Sequence, residues 1–204
     1  YHAAAADSGL QTCALPISTT LLRLILDYAD SVEDAVEIAS SYDLHDSAKT
    51  SYHYMVADAS GRSAILEWVG ETNATDTDGT RRELVVTYND GDSHIGEAEA
   101  ASDVQWITNF IIQPSYYGSD EEKTGYDRYQ RIGGELARTG GVVEDEQAAM
   151  DILAIVGRRT WNNNDSNSCT VHSAVYNLTD KSVLWVPNEH YGENGAVYRF
   201  ELDG

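Results

Sequence analysis

The order of hydrophobic periodicities along the chain predicts an α+β domain built on antiparallel sheets. Helical spacing comes first, a run of strand-like segments follows, helical spacing returns, and the chain finishes in strands. Segregated runs of this kind differ from the regular strand–helix alternation of a parallel sheet. Turn chemistry points the same way, because the turn between the first two strand-like segments is short enough to join only antiparallel neighbours. With 204 residues, 42% of them hydrophobic, the chain can bury one sizeable core, so a single domain is expected.

The elements follow in order. Ser18 or Thr19 can cap a helix carrying Leu21, Leu22, Leu24, Ile25, Leu26, Tyr28 and Ala29. Ser31-Val32-Glu33-Asp34 resembles a capping box and opens a second helix, with Val32, Ala35, Val36 and Ala39 at helical spacing. Thr50 to Ala57 and Ser63 to Val69 are rich in aromatic and β-branched residues. With Asp58-Ala59-Ser60-Gly61 between them, they predict a β-hairpin. Arg82 to Tyr88 and Asp103 to Ile112 read as two more strands, separated by the polar, acidic excursion Asn89 to Ser102.

Thr124 to Ala137 is compatible with a helix, although Gly133-Gly134 weakens its middle. Glu144 to Val156 is the clearest late helix, acidic in its first turn and with Ala148, Ile152, Ile155 and Val156 on one side. Arg159 to Ser168 is a polar, Asn-rich loop. Thr170 to Leu178, Val183 to Val186 and Ala196 to Leu202 then complete the pattern as antiparallel strands. The opening residues have no pattern that would pack. Gln11-Thr12-Cys13-Ala14-Leu15-Pro16-Ile17 is also the translation of the adapter-like DNA CAG ACG TGT GCT CTT CCG ATC. Residues 1–17 are therefore expected to be a non-native leader, with the domain occupying 18–204.

Charge excludes some functions. The formal net charge is −21, from 34 Asp and Glu against 13 Lys and Arg. Phosphate backbones would be repelled, so nucleic acid is not an expected partner, and anionic membranes are disfavoured on the same ground. No apolar run has the length of a membrane span. Cys13 and Cys169 form neither a disulfide framework nor a metal set, which favours a reducing, cytoplasmic setting; secretion stays open. Asp76-Thr77-Asp78-Gly79 is similar to a calcium loop. Placing Gly79 sixth, however, puts Ala74 first and Val85 twelfth, where ligands belong, so the motif fails. No metal and no cofactor is expected. Asn73-Ala74-Thr75 and Asn177-Leu178-Thr179 are glycosylation sequons only in a secreted chain.

Three motifs carry chemistry: Trp106-Ile107-Thr108-Asn109-Phe110, Gly125-Tyr126-Asp127-Arg128-Tyr129 and Ser173-Ala174-Val175-Tyr176-Asn177-Leu178. An apolar segment ending in Thr-Asn, an Asp-Arg-Tyr at a helix start and a strand Val-Tyr-Asn together resemble the choloylglycine hydrolase family. The helix pair Leu21 to Leu44 adds to the resemblance, as does the hairpin around Tyr52-His53-Tyr54-Met55-Val56-Ala57-Asp58 with Gly61 and Glu67. The resemblance spans Ser18 to Leu202. It implies a linear amide C–N hydrolase with the N-terminal-nucleophile fold, a four-layer αββα sandwich. Substrates in such a family are bile-salt, N-acyl amino acid or penicillin-like amides.

The resemblance also assigns roles. The family's nucleophile is a Cys at the mature N-terminus, whereas this chain begins Tyr1-His2-Ala3. The expectation is thus a fragment lacking its front strands and reacting atom, and inactive by itself. Asn109 matches the Asn that holds the oxyanion or substrate carbonyl, and Arg128 matches an Arg that favours thiolate over thiol. The ordinary readings are a strand-ending turn for Asn109 and a salt bridge to Asp127, Glu121 or Glu122 for Arg128. His53 reads as a packed strand histidine and Cys169 as a small buried hydrophobe. His94, His172 and His190 have no catalytic pattern, and Trp106, Trp161 and Trp185 read as core or pocket wall. Two alternatives stay open: an acyltransferase of the acyl-CoA:6-aminopenicillanic acid acyltransferase type, and a noncatalytic acidic binding domain. A homo-oligomer is compatible with each of these.

Overall fold

The computed structural model describes residues 18–42, 44, 53–69, 83–90, 104–114, 116–161 and 169–201. The expected leader with Cys13, both 73–75 and 76–79, His94 with most of the 89–102 excursion, and the loop 162–168 lie outside these residues. The elements are α1 (Ser18–Tyr28), α2 (Val32–Ser40), β1 (His53–Ala57), β2 (Ser63–Val69), β3 (Glu83–Tyr88), α3 (Tyr126–Arg138), α4 (Glu146–Ile155), α5 (Arg158–Trp161), β4 (His172–Asn177), β5 (Ser182–Pro187) and β6 (Tyr198–Glu201). The fold is α+β, with two antiparallel three-stranded sheets ordered β1-β2-β3 and β4-β5-β6.

β2 is the centre of the first sheet, and its sequence shows why. Every residue from Ser63 to Trp68 is buried, which requires cover on both faces. Ala64, Leu66 and Trp68 pack against Leu21 and Ile25 of α1 and Val32, Ala35 and Ala39 of α2. The alternate residue Ile65 packs against Trp106, Phe110, Ile112, Tyr129 and Leu136. On α1 the stripe Leu21 and Ile25 is one turn apart, while Leu26 and Tyr28, off that stripe, are exposed.

Local chemistry fixes the joints. Ser31 caps α2 by accepting from Asp34 N at 3.1 Å, and Asp34 reaches back to Asp30 N at 3.2 Å. The β1–β2 turn needs a left-handed residue, which Gly61 supplies at φ +89°. In the same turn Asp58 accepts from Ser60 Oγ, from Val32 N at 3.0 Å and from Ser60 N at 2.8 Å. The Ser60 hydroxyl first, then the Val32 N–H, lowers the Asp58 pKa. One carboxylate thus ties the hairpin to the start of α2.

Two expectations change. The segment expected as a strand over Asp103–Ile112 is buried at Gln105, Trp106, Phe110, Ile111 and Ile112. It has no ladder partner among the described residues. Side chains take the place of a neighbouring strand. Glu67 accepts from Ile112 N at 2.7 Å and Gln113 N at 3.0 Å, and Tyr117 Oη accepts from Ile111 N at 3.1 Å. Gln105 receives Ser63 Oγ at 2.6 Å and donates to Thr87 O at 2.8 Å. The second change is at the expected loop from Arg159, whose start coils into the single turn α5.

The second sheet packs one face on α4. Met150 and Leu153 meet Val175, Leu184, Val186 and Tyr191, and Asp145 caps α4 by accepting from Ala148 N at 2.7 Å. Of the expected stripe Ala148, Ile152, Ile155 and Val156, the first three line a shallow groove of about 200 Å³ with Val142 and Val143, away from this contact. Ile152 also packs against the cluster of Trp106, Phe110, Tyr129 and Leu136, and Val156 lines a separate groove. Register places Ala174, Trp185 and Tyr198 together, and Tyr176, Val183 and Phe200 together, on the face away from α4. That face is uncharged and open, with Tyr176, Tyr198 and Phe200 all exposed. His172 stacks on Trp185 there at 4.3 Å. Cys169, expected to be buried, is only half-buried, since it sits in the loop entering β4 with its Sγ 3.9 Å from Asn188 Oδ1.

α4 is also clasped to this sheet by charge. Glu146 accepts from Asn177 Nδ2 at 2.9 Å and pairs with Arg199 at 3.3 Å. Arg199 first, then Asn177, holds its carboxyl at about 2, below the ordinary 4.5. A depressed carboxylate stabilises the fold above its unfolded pKa, and that contribution is lost as pH falls through the folded value. Glu146→Gln is therefore expected to lower the denaturation midpoint at pH 7, with the gap to the unaltered chain closing between pH 4.5 and about 2. A gap independent of pH would contradict this.

Candidate functional site

Asn109 and Arg128 are 19 positions apart, and nothing local forces them together. The fold brings them into contact, with Arg128 Nη2 donating to Asn109 Oδ1. A guanidinium has only donors, so the end of the Asn109 amide that faces it must be the oxygen. The orientation of the amide is thereby set, and its NH₂ is the end available to donate elsewhere.

The turn that presents Asn109 is held from two directions. Thr108 Oγ1 donates to Gly125 O at 2.9 Å, linking it to the start of α3. From below, His53 Nε2 donates to Thr108 O, and His53 Nδ1 lies 3.2 Å from Glu67 Oε1. Glu67 is fully buried and also binds the Ile112 and Gln113 amides. One buried carboxylate therefore anchors both the histidine and the backbone that follows Asn109. His53, with Nε2 on Thr108 O and Nδ1 beside Glu67, supports the turn from beneath.

Arg128 is aimed by the way α3 begins. Gly125 precedes the helix with φ +81°, a conformation that favours glycine. A Cβ there would lie 2.7 Å from Arg128 Nη2 and 3.3 Å from both Asn109 N and Asn109 Oδ1. The glycine of the Gly-Tyr-Asp-Arg-Tyr motif thus leaves the space in which the Arg–Asn contact forms. Tyr126 and Tyr129 pack on Phe110 behind it, so the same motif supplies both the core and the cation.

The pair opens onto a groove of about 410 Å³ lined by Asn109, Thr124, Gly125, Asp127, Arg128, Val156, Arg158 and Thr170. This lies within the size range of small-molecule sites. In a chain of net charge −21, the lining carries two arginines against one aspartate, Asp127, so its local balance is opposite in sign to that of the chain. The far wall is fixed by Arg158 N donating to Thr170 Oγ1 at 3.0 Å.

The other expectations fall elsewhere. His172 lies on the open face of the second sheet, and His190 pairs with Glu193 at 3.0 Å. Asn177 closes the β4–β5 turn by accepting from Thr179 N and Asp180 N. Glu67 entered the sequence reading only as part of the hairpin resemblance, and its role was missed. The signal was present, because a lone acid inside the apolar run Ala64 to Val69 must find buried donors. Among the described residues, no group of three or more His, Cys, Asp and Glu is placed to hold a metal ion. No described helix is long and apolar enough to cross a membrane. Compared with known proteins, the chain matches no family model, no curated protein and no solved structure.

Proposed function

We propose that this chain carries the carbonyl-binding part of a linear amide C–N hydrolase of the choloylglycine hydrolase type. The single observation behind this reading is the contact of Asn109 with Arg128 at the edge of an open groove. In the reaction, a cysteine thiolate adds to the amide carbon and the carbonyl oxygen becomes an oxyanion. The Asn109 NH₂ donates to that oxygen, a neutral donor that stabilises charge without titrating. The α-amino group of the cysteine takes the thiol proton as the sulfur attacks, and on collapse the resulting α-ammonium gives that proton to the departing amine. Water then hydrolyses the thioester to the acid. Arg128 fixes the Asn109 amide and lowers the cost of nearby negative charge.

In this reading the nucleophile is a cysteine at a mature N-terminus, supplied from outside the 204 residues; Cys13 and Cys169 are internal. The uncharged face of β4-β5-β6 supports a four-layer αββα arrangement, since a second sheet stacking there would bury Tyr176, Trp185, Tyr198 and Phe200. Left open, that face is expected to make the 204-residue chain bind a hydrophobic dye and self-associate. Phe200→Glu should reduce both, as read by fluorescence and sedimentation. A dye-negative monomer would count against the missing layer.

The test of function is the reading frame upstream of the Ser18 codon in source DNA, and the protein it encodes. A processed N-terminal cysteine is expected. So is hydrolysis of a conjugated bile acid, penicillin V or an N-acyl amino acid, stopped by thiol alkylation. The 204-residue chain alone should turn over none of them. Turnover by that chain, or a frame with no such cysteine, would overturn the proposal.

A further inference from the structure

The segments that carry Arg158 and Thr170 into the groove are tied together by a residue outside the lining, Glu189. Asn188 and Glu189, directly after β5, are consecutive left-handed residues with φ 48° and 59°. Asn tolerates that conformation; Glu adopts it at a cost. The result is a Glu189 side chain only 2% exposed, with its carboxylate turned onto backbone donors. It accepts from Arg159 N at 3.1 and 3.0 Å and from Thr170 N at 3.1 Å. Asn188 adds a second tie, its carbonyl accepting from Arg159 Nη1 at 3.1 Å. Gly157 makes room, since a Cβ at that position would lie 2.2 Å from Glu189 Oε1.

Gly157 and Arg159 flank Arg158, and Thr170 faces the groove itself. The second sheet has its own core around Met150, Leu184 and Val186 and its own clasp at Glu146. The hydrogen bonds of Glu189 run instead to Arg159 and Thr170, and its ion pair, at 4.0 Å, is with Arg159 Nε. We propose that Glu189 is a positioning residue for the groove: its carboxylate sets the wall of Val156, Arg158 and Thr170 against Asn109 and Arg128. The inference rests on that groove being the amide-binding site.

The test uses the 204-residue chain, with ¹⁵N–¹H spectra and N-acetylglycine as probe. In the unaltered chain, N-acetylglycine is expected to shift the Asn109 side-chain amide. In Glu189→Gln, the Arg159 and Thr170 amides should exchange roughly tenfold faster, as loss of a charge-assisted bond implies. The β4–β5 ladder amides should keep their protection, and affinity for the probe should fall severalfold. Gly157→Ala, which displaces an intact Glu189, should reproduce that pattern and decides the matter if Glu189→Gln does not fold. Ladder amides that lose protection in step, failure of both variants to fold, or unchanged exchange at Arg159 and Thr170 would each overturn the role. If the unaltered chain binds the probe and the variants bind it equally, only the role of Glu189 fails. If the unaltered chain leaves Asn109 unshifted, the binding reading fails and takes this inference with it.

Discussion

Asn109→Ala, made in the complete enzyme this reading calls for, is expected to lower kcat by about 10²–10³-fold with KM nearly unchanged. The reason lies in when the contact matters. A neutral amide donor binds a substrate carbonyl weakly but an oxyanion strongly, so its removal is felt in the transition state. Arg128→Ala should also lower kcat and, in addition, move the ascending limb of the pH–rate profile upward, because a fixed cation near a thiol favours the thiolate. Steady-state kinetics across pH separates the two variants. An Asn109→Ala enzyme with raised KM and full kcat would reduce Asn109 to a residue of ground-state binding.

Glu67→Ala in the 204-residue chain is expected to be the most damaging single change to stability, about 3 kcal/mol or more. Removing that buried carboxylate leaves the Ile112 and Gln113 amides and the His53 ring without their acceptor. The Ile112 amide cannot readily turn to water, because Glu67 and Ile112 are both buried. Glu67→Gln should cost less, since one acceptor oxygen remains, while its NH₂ is set against backbone donors. Because the same carboxylate supports the turn under Asn109, both variants should also shift the Asn109 amide resonance. Urea unfolding measures the first effect. A loss below about 1 kcal/mol for Glu67→Ala would contradict the anchoring role.

Much of the fold was legible because side-chain periodicity reports burial directly. The apolar run of β2, the stripe Val32, Ala35, Ala39 and the cap at Ser31 all appear where local physics puts them. The buried segment 104–112 was misread as a strand for a physical reason. An apolar run looks the same whether its amides meet a ladder or the carboxylate of Glu67, 45 residues away from Ile112. On α4 helical spacing found a shared side for Ala148, Ile152 and Ile155, but not what lies against it. At the site, Asn109 and Arg128 came from their motifs, and only the structure could show that they touch. Glu189 left no trace in the sequence. Its role depends on two left-handed residues and on a glycine 32 positions earlier, Gly157.

The central claim is that Asn109 and Arg128 serve a covalent attack on an amide carbonyl. The most direct measurement is the intact mass of the complete enzyme quenched during turnover of an N-acyl amino acid, penicillin V or a conjugated bile acid, followed by peptide mapping. A mass gain equal to the substrate's acyl group is expected, carried on the N-terminal cysteine and much reduced in Asn109→Ala. Turnover with no acyl adduct, or an adduct that forms equally well without Asn109, would contradict it.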